Sequence, residues 1–185
     1  MANADAVVVA GNGTVRVAPV GTTQPTTPTG APVAAWLDLG YVTGDGVTFT
    51  DSKDITDVDA WQSFYPIRKI ITGKNATLAF ALREWDERNI PLAFGGGSVT
   101  NPSAGVWRYA PPAAGTLDLR AMMIDWIDGI KNYRLIIPRG LVTETVETNL
   151  VRTDSAVLPI TFAAIPLSTA VDPYLLLTDD LSFSS

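Results

Sequence analysis

The sequence contains no cysteine and no histidine, and these two absences remove most of the familiar catalytic and metal-binding chemistry. Without cysteine there is no disulfide framework, which fits a reducing compartment. Without histidine there is no Ser-His-Asp triad, no histidine metal ligand and no side chain whose ordinary pKa suits a general base near neutral pH. Any catalysis would therefore depend on carboxylate, lysine or hydroxyl groups.

The chain also lacks a long apolar run and a surplus of positive charge. No stretch reaches the roughly 18 to 20 apolar residues that a membrane-spanning helix needs, and AVVVA at residues 6–10 has no basic lead-in of a signal peptide. We therefore expect a soluble, unprocessed protein that does not enter a membrane. The net charge is −6, so no basic stripe is available to neutralise phosphates, and tight nucleic-acid binding is not expected.

The negative charge is concentrated in one part of the sequence. Between residues 38 and 59, six aspartates stand against the single Lys53, a balance of −5 that leaves −1 for the rest of the chain. Clustered carboxylates suit a hard cation such as Ca²⁺, but here Trp61 follows Asp57 and Asp59 where a calcium loop would continue with oxygen ligands and glycine. A structural Ca²⁺ site, a solvated surface and a contact with another molecule remain the alternatives, and we predict no cofactor.

Three other patterns fall short of a catalytic site. ITGKN at residues 71–75 lacks the first glycine and the hydroxyl residue of a phosphate-binding loop. GGGSVT at residues 95–100 lacks the second glycine of a nucleophile elbow. The carboxylate pairs Asp125–Asp128 and Glu144–Glu147 are each three residues apart in predicted strands, so their members point to opposite faces rather than across a glycosidic bond. We therefore predict that the protein is not an enzyme.

The pattern of apolar residues predicts a mainly β fold in a single domain over residues 1–185. Short alternating or β-branched runs predict strands, and Asp128-Gly129 between two of them predicts a hairpin. Asp86 and Gly95 delimit one short helix near residues 86–94, and Pro159 favours a sheet edge or bulge. An antiparallel β-sandwich or barrel with one flanking α-helix follows. The predicted strands lie at residues 6–10, 14–20, 34–42, 65–72, 77–84, 106–110, 117–128, 130–138, 141–149 and 156–165.

Three segments are predicted to be loops. GTTQPTTPTGAP at residues 21–32, within a strand-and-loop arm at about 1–35, consists of residues that favour extended, poorly packed chain. The Asp-rich segment at residues 51–59 and SVTNPSAG at residues 98–105 are the others. The five tryptophans, expected mostly in the core or at interfaces, also leave a carbohydrate-binding sandwich open as an alternative; they lie at positions 36, 61, 85, 107 and 126.

The order of these features resembles the major tail protein, or tail tube subunit, of long-tailed bacteriophages. The resemblance begins with VRVAPVGTTQPT, AAWLDLGYVTGDGVTFT and DITDVDAWQSFYPIRKIITGKNATLAFALRE, followed by a short helix ending in FGGG. It closes with WIDGIKNYRLIIPRGLVTETVETNLVRTDSAVLPITFAAIP. It covers residues 7 to 177, and its specificity comes from the ordered set because no single piece is a catalytic fingerprint.

The resemblance implies a structural virion protein that self-assembles into stacked hexameric rings. The hollow tube would enclose a tape-measure protein, end at tail-terminator and tail-tip proteins, and let genome DNA pass without specific binding through a neutral or acidic lumen; assembly would take place in the host cytoplasm. A head or capsid-decoration protein is the alternative within the same class. The two long loops would then contact neighbouring subunits and become ordered on assembly, with the acidic loop meeting a basic surface. The residues predicted to make these contacts are Asp45, Asp51, Asp54, Asp57, Asp59, Arg68, Lys69 and Lys74.

Overall fold

The computed structural model describes residues 6–144, 146–168 and 171–183. The fold is mainly β, as predicted, and no helix in these ranges is both long enough and apolar enough to cross a membrane. A single turn of 3-10 helix at Leu181–Phe183 follows the last strand. In chain order the elements are β1 (Asn12–Pro19), β2 (Leu37–Asp38), β3 (Thr48–Val58), β4 (Arg68–Leu82), α1 (Asn89–Ala93), β5 (Ser98–Ser103), β6 (Val106–Ala110), β7 (Arg120–Asp128), β8 (Lys131–Val142), β9 (Leu158–Ala164) and β10 (Leu175–Thr178).

Eight of the strands form one antiparallel sheet. Their order is β2-β1-β7-β8-β9-β4-β3, with β10 also paired to β8, while β5 and β6 form a separate hairpin. One edge of β8 pairs with β7. Its other edge has two partners, because β10 pairs with Tyr133–Ile136 and β9 pairs with Gly140–Val142. One core receives side chains from β1, β7 and β8 and from β4 and β9. The sheet therefore surrounds this core in the manner of the predicted sandwich.

A smaller core lies on the opposite face of β1, β7 and β8. It contains Ala18, Trp36, Ala121, Met123 and Ile136. The segment at residues 21–32 has no regular structure, as predicted, but it is attached to the sheet. The indole Nε1 of Trp36 donates to the carbonyl of Thr23 at 3.1 Å, so Trp36 joins the small core to this segment.

The guanidinium of Arg134 holds the same segment at a second point. Its Nη1 donates to the carbonyls of Thr27 and Gly30 at 2.8 and 2.9 Å, and its Nε and Nη2 donate to both oxygens of Asp125 at 2.5 and 3.1 Å. Arg16 contacts the same carboxylate. Residues 21–32 are thus attached to the sheet of their own chain, and their contact with a neighbouring subunit stays a prediction.

The predicted β7–β8 hairpin is confirmed, with its turn one residue further along. Asp128 pairs with Lys131, so Gly129 and Ile130 are the two turn residues. Gly129 has φ +60° and Ile130 does not have a positive φ, which is the pattern of a type II′ turn.

Pro159 lies in β9, which is an interior strand rather than the predicted edge strand. However, β8 pairs only with residues 162–164 of β9. At Pro159 the strand is therefore paired on one side alone, with β4.

Several predicted elements differ from the structure. Residues 6–10 do not form a strand, the predicted strand at 141–149 ends at Val142, and the predicted loop at 98–105 contains β5. The helix is shorter than predicted, although Asp86 does bind its start, accepting the N–H groups of Arg88 and Asn89 at 2.9 and 2.7 Å. The largest difference concerns the Asp-rich segment. It is β3, a strand paired with β4 along its whole length.

Candidate assembly surface

The β3–β4 hairpin extends beyond the body of the protein. The neighbouring strand β9 pairs only with Thr77–Leu82 of β4, whereas β3 continues its pairing to Val58 and Arg68. We call residues 51–75 the arm. Every residue from Asp51 to Asp57 and from Arg68 to Thr72 is exposed, so both faces of the arm are in contact with solvent.

A β-bulge divides the arm. Asp54 pairs with Gly73 and Ile55 with Ile71, which leaves Thr72 as the extra residue. A Cβ at position 73 would lie 2.7 Å from Asp54 Oδ2, so a larger residue there would require the exposed Asp54 side chain to move. Since a bulge bends a strand and increases its twist, the outer half of the arm is turned relative to its root.

The predicted contact residues do not converge on one point of the arm. Side chains alternate along a strand, so Asp51 and Asp57 lie on one face of β3 and Asp54 lies on the other. No group of three or more His, Cys, Asp or Glu side chains within residues 6–144, 146–168 and 171–183 is arranged to hold a metal ion. Asp45 lies outside the arm, in the exposed turn before β3.

The acidic strand and the basic strand of the arm face one another. The hairpin from 48 to 82 carries four aspartates and four basic residues, so its formal charge is zero. Asp57 accepts a hydrogen bond from Lys69 Nζ at 2.7 Å. At another position two like charges are paired instead, because Lys53 lies directly opposite Lys74. The local excess of acid read from the sequence is therefore balanced within the hairpin.

Tyr174 fixes the root of the arm. Its hydroxyl donates to Asp51 Oδ2 at 2.8 Å, and its ring meets Phe49 edge-on at a centroid distance of 4.9 Å. The hydrogen bond to the carboxylate raises the pKa of Tyr174. Asp51 thus has a partner inside its own chain.

The end of the arm, residues 59–67, presents three aromatic side chains to solvent. We call this segment the tip. Trp61, Phe64 and Tyr65 have fractional exposures of 99%, 105% and 81%. The Ser63 hydroxyl shapes the turn, accepting the Tyr65 N–H at 3.1 Å. Such exposed apolar groups are typical of an interaction surface. The signal for them in the sequence is three aromatic residues within five positions, directly after the acidic run.

An open cleft of about 820 Å³ lies near the root of the arm. Tyr41, Val47, Phe49 and Trp126 are among the apolar and aromatic residues that line it. Its acidic lining residues are Asp38 and Glu84, and it has no basic lining residue among the described residues. The sequence did not predict this cleft because its walls come from segments far apart in the chain.

Three of the four carboxylates considered for catalysis have structural partners within the described part of the chain. Asp125 is bound by Arg16 and Arg134, Asp128 accepts the Val9 N–H at 3.0 Å, and Glu144 accepts the Thr161 hydroxyl at 2.7 Å. These contacts hold strands and segments together.

The strongest pKa shifts also belong to a structural contact. Tyr133 stacks on Trp126 at a centroid distance of 5.3 Å and donates its hydroxyl to the buried Asp180 at 2.6 Å. This hydrogen bond raises the pKa of Tyr133 to about 12 and lowers the pKa of Asp180. Lys131 Nζ lies 3.1 Å from the same carboxylate. The contact attaches the segment after β10 to β8.

Comparison with protein families identifies a match over the whole chain. A family model described as "Phage tail tube protein" matches residues 1–185. No curated protein matches the sequence. The family match agrees with the resemblance read from the order of the sequence features.

Proposed function

Since the chain belongs to the phage tail tube protein family, we propose that its identical copies close into six-membered rings that stack into a tube. Its role is structural, in the tail of the virion. The observation that carries the assembly model is the exposed arm, a hairpin that leaves the body of the fold and ends in uncovered aromatic side chains.

The two edges of the main sheet support ring formation. At one edge β3 has a strand partner on one side only. At the other, β2 pairs with just Arg16 and Val17 of β1. Two unlike free edges can pair head-to-tail between copies, and such contacts form a ring when the rotation closes. Closure would remove the unpaired edges, which are otherwise a site of aggregation.

We propose that the arm and the turn before β3 make the contacts between stacked rings. The charged residues would contact the next ring through Asp54, Asp59, Arg68 and the opposed Lys53 and Lys74, whereas Asp51 and Asp57 already have partners in their own chain. Asp45 would contribute from the turn before β3. We further propose that the tube encloses a tape-measure protein, meets terminator and tip proteins at its ends, is assembled in the host cytoplasm and conducts genome DNA. A neutral or acidic lumen would avoid retaining phosphates.

Electron microscopy of the concentrated full chain tests the proposal. Rings of six and tubes are expected for the unmodified protein. Replacing Asp54 and Asp59 together by lysine is expected to prevent stacking while the circular dichroism spectrum stays unchanged, because both side chains are exposed.

The matched control replaces the exposed Glu87 and Glu147 by lysine, which changes the net charge by the same amount. This control is expected to form tubes. Absence of rings and tubes even with tail-tip proteins added would contradict the proposed assembly. Sevenfold or eightfold rings would contradict only the proposed number of six subunits. A tube structure with a lumen lined mainly by arginine and lysine would refute the lumen assignment.

A further inference from the structure

We propose that the tip of one copy docks into the cleft of a second copy of this chain. This inference rests on the proposed function and identifies the surface that receives the arm. The tip carries Trp61, Phe64 and Tyr65 without cover, and the cleft offers an open, largely apolar wall. Each copy therefore has both halves of a complementary contact.

A molecule cannot fill its own cleft with its own tip. Phe49 lines the cleft, and Val58, the last residue of β3, is nine positions further along the strand. At about 3.3 Å per residue this separates tip and cleft by roughly 30 Å. The two strands are paired over this length, so the hairpin cannot fold back, and the occupant has to be another molecule.

The sizes of tip and cleft agree. Three fully covered aromatic side chains bury roughly 450 to 750 Å², which is most of the about 800 Å² that each partner contributes to a stable interface of standard size. The cleft volume of about 820 Å³ is near the upper end of the about 300 to 1,000 Å³ found for pockets that enclose bulky ligands. The tip can thus supply the centre of a stable contact.

The charges of tip and cleft are also complementary. The cleft is lined by Asp38 and Glu84 and by no basic side chain among the described residues; Arg16 Nη2 lies 3.9 Å from Asp38 Oδ2, and Glu84 has no ion pair in the described part of the chain. Arg68, next to the tip, is exposed and forms no ion pair within the described part of the chain. A docked tip brings this guanidinium to an acidic wall, which favours one orientation of the contact.

Cross-linking between single-cysteine variants tests the contact, because the natural chain has no cysteine. A full chain with Gln62→Cys at the tip is mixed with a tagged full chain carrying Thr43→Cys in the cleft wall, and a short bismaleimide joins nearby thiols. We expect at least about ten times more mixed dimer than with Asn101→Cys, a control on the exposed strand β5.

A second variant separates docking from chance encounter. Adding Trp61→Ser and Phe64→Ser to the tip chain is expected to reduce the mixed dimer to the Asn101→Cys level, since both rings are exposed and their loss leaves the fold intact. Equal yields at Thr43→Cys and Asn101→Cys would overturn the inference, as would a yield that survives loss of the rings. If tubes still form in that case, the proposed function stands and only the receiving surface is wrong.

Discussion

At the scale of single residues, Arg134 joins strand β8 to strand β7 and to the segment at residues 21–32. Its side chain is buried, binds Asp125 with two hydrogen bonds and holds the carbonyls of Thr27 and Gly30. The sequence did not single it out, because a lone arginine in an apolar strand has no motif. Its importance comes from the loop that the fold places over it.

Replacing Arg134 by methionine is expected to destabilise the protein by about 3 kcal/mol, because a charge pair with one buried member loses that member while Asp125 stays partly exposed. The value should not be larger, since Arg16 still contacts Asp125. Urea unfolding would measure the free energy, and limited proteolysis should detect cleavage within residues 21–32.

The control for this substitution is Arg152→Met at an exposed position. A surface change of this kind is expected to alter the free energy of unfolding by less than about 0.5 kcal/mol. Equal stability of the Arg134 and Arg152 variants would show that the buried cluster contributes little.

At the scale of elements, the arm contains one pair that opposes its own stability. Lys53 and Lys74 are directly opposite each other, and like charges in such positions are destabilising. A destabilising pair that has no compensating contact within the fold is a candidate for a functional role. We interpret the pair as positive charge kept available for a neighbouring subunit.

Replacing Lys74 by glutamate is expected to stabilise the isolated arm and weaken assembly. The new cross-strand ion pair should contribute about 0.2 to 1 kcal/mol, measured as slower hydrogen exchange of amides in β3 and β4. The protein concentration needed for tubes should rise. Arg152→Glu makes the same charge change elsewhere and should leave both quantities unchanged; a Lys74 variant that assembles as readily as the natural chain would refute the interpretation.

The strands that pack on the core were predictable from sequence. Leu78, Phe80 and Leu82 alternate with less buried neighbours because one face of β4 meets the core, and periodicity reports this directly. The predicted strands at residues 65–72 and 77–84 belong to one strand, β4, which continues through residues 73–76 and has its bulge at Thr72.

The arm was not predictable in the same way. β3 has solvent on both faces over Asp51–Asp57, so no apolar period distinguishes it, and aspartate is disfavoured in strands. Its extended shape comes from pairing with β4. The cleft escaped prediction for a related reason, because residues near positions 40, 84, 126 and 174 meet there only after folding.

At the scale of the whole molecule, Asp180 and Tyr133 make the free energy of unfolding depend on pH, both in acid and in alkali. A lowered carboxyl pKa stabilises the fold fully above the ordinary value of about 4, and this contribution is lost as pH falls through the lowered pKa. A raised tyrosine pKa stabilises the fold fully below about 10 and ceases to do so as pH rises through about 12.

We therefore expect the segment after β10 to stay attached between about pH 4 and pH 10 and to loosen outside this range. Hydrogen exchange at Asn132 and Tyr133 would follow the change. Asp180→Asn should remove much of the acid dependence, whereas Asp172→Asn, at an exposed position, should keep it. An acid profile unaffected by the Asp180 substitution would contradict this account.

The separation of tip and cleft has a consequence for the finished particle. A column of copies joined as proposed would have uncovered tips at one end and empty clefts at the other. Its growth would therefore have a direction. If copies stack as proposed, the protein that nucleates the column and the protein that ends it would need opposite surfaces, one resembling the cleft and the other resembling the tip.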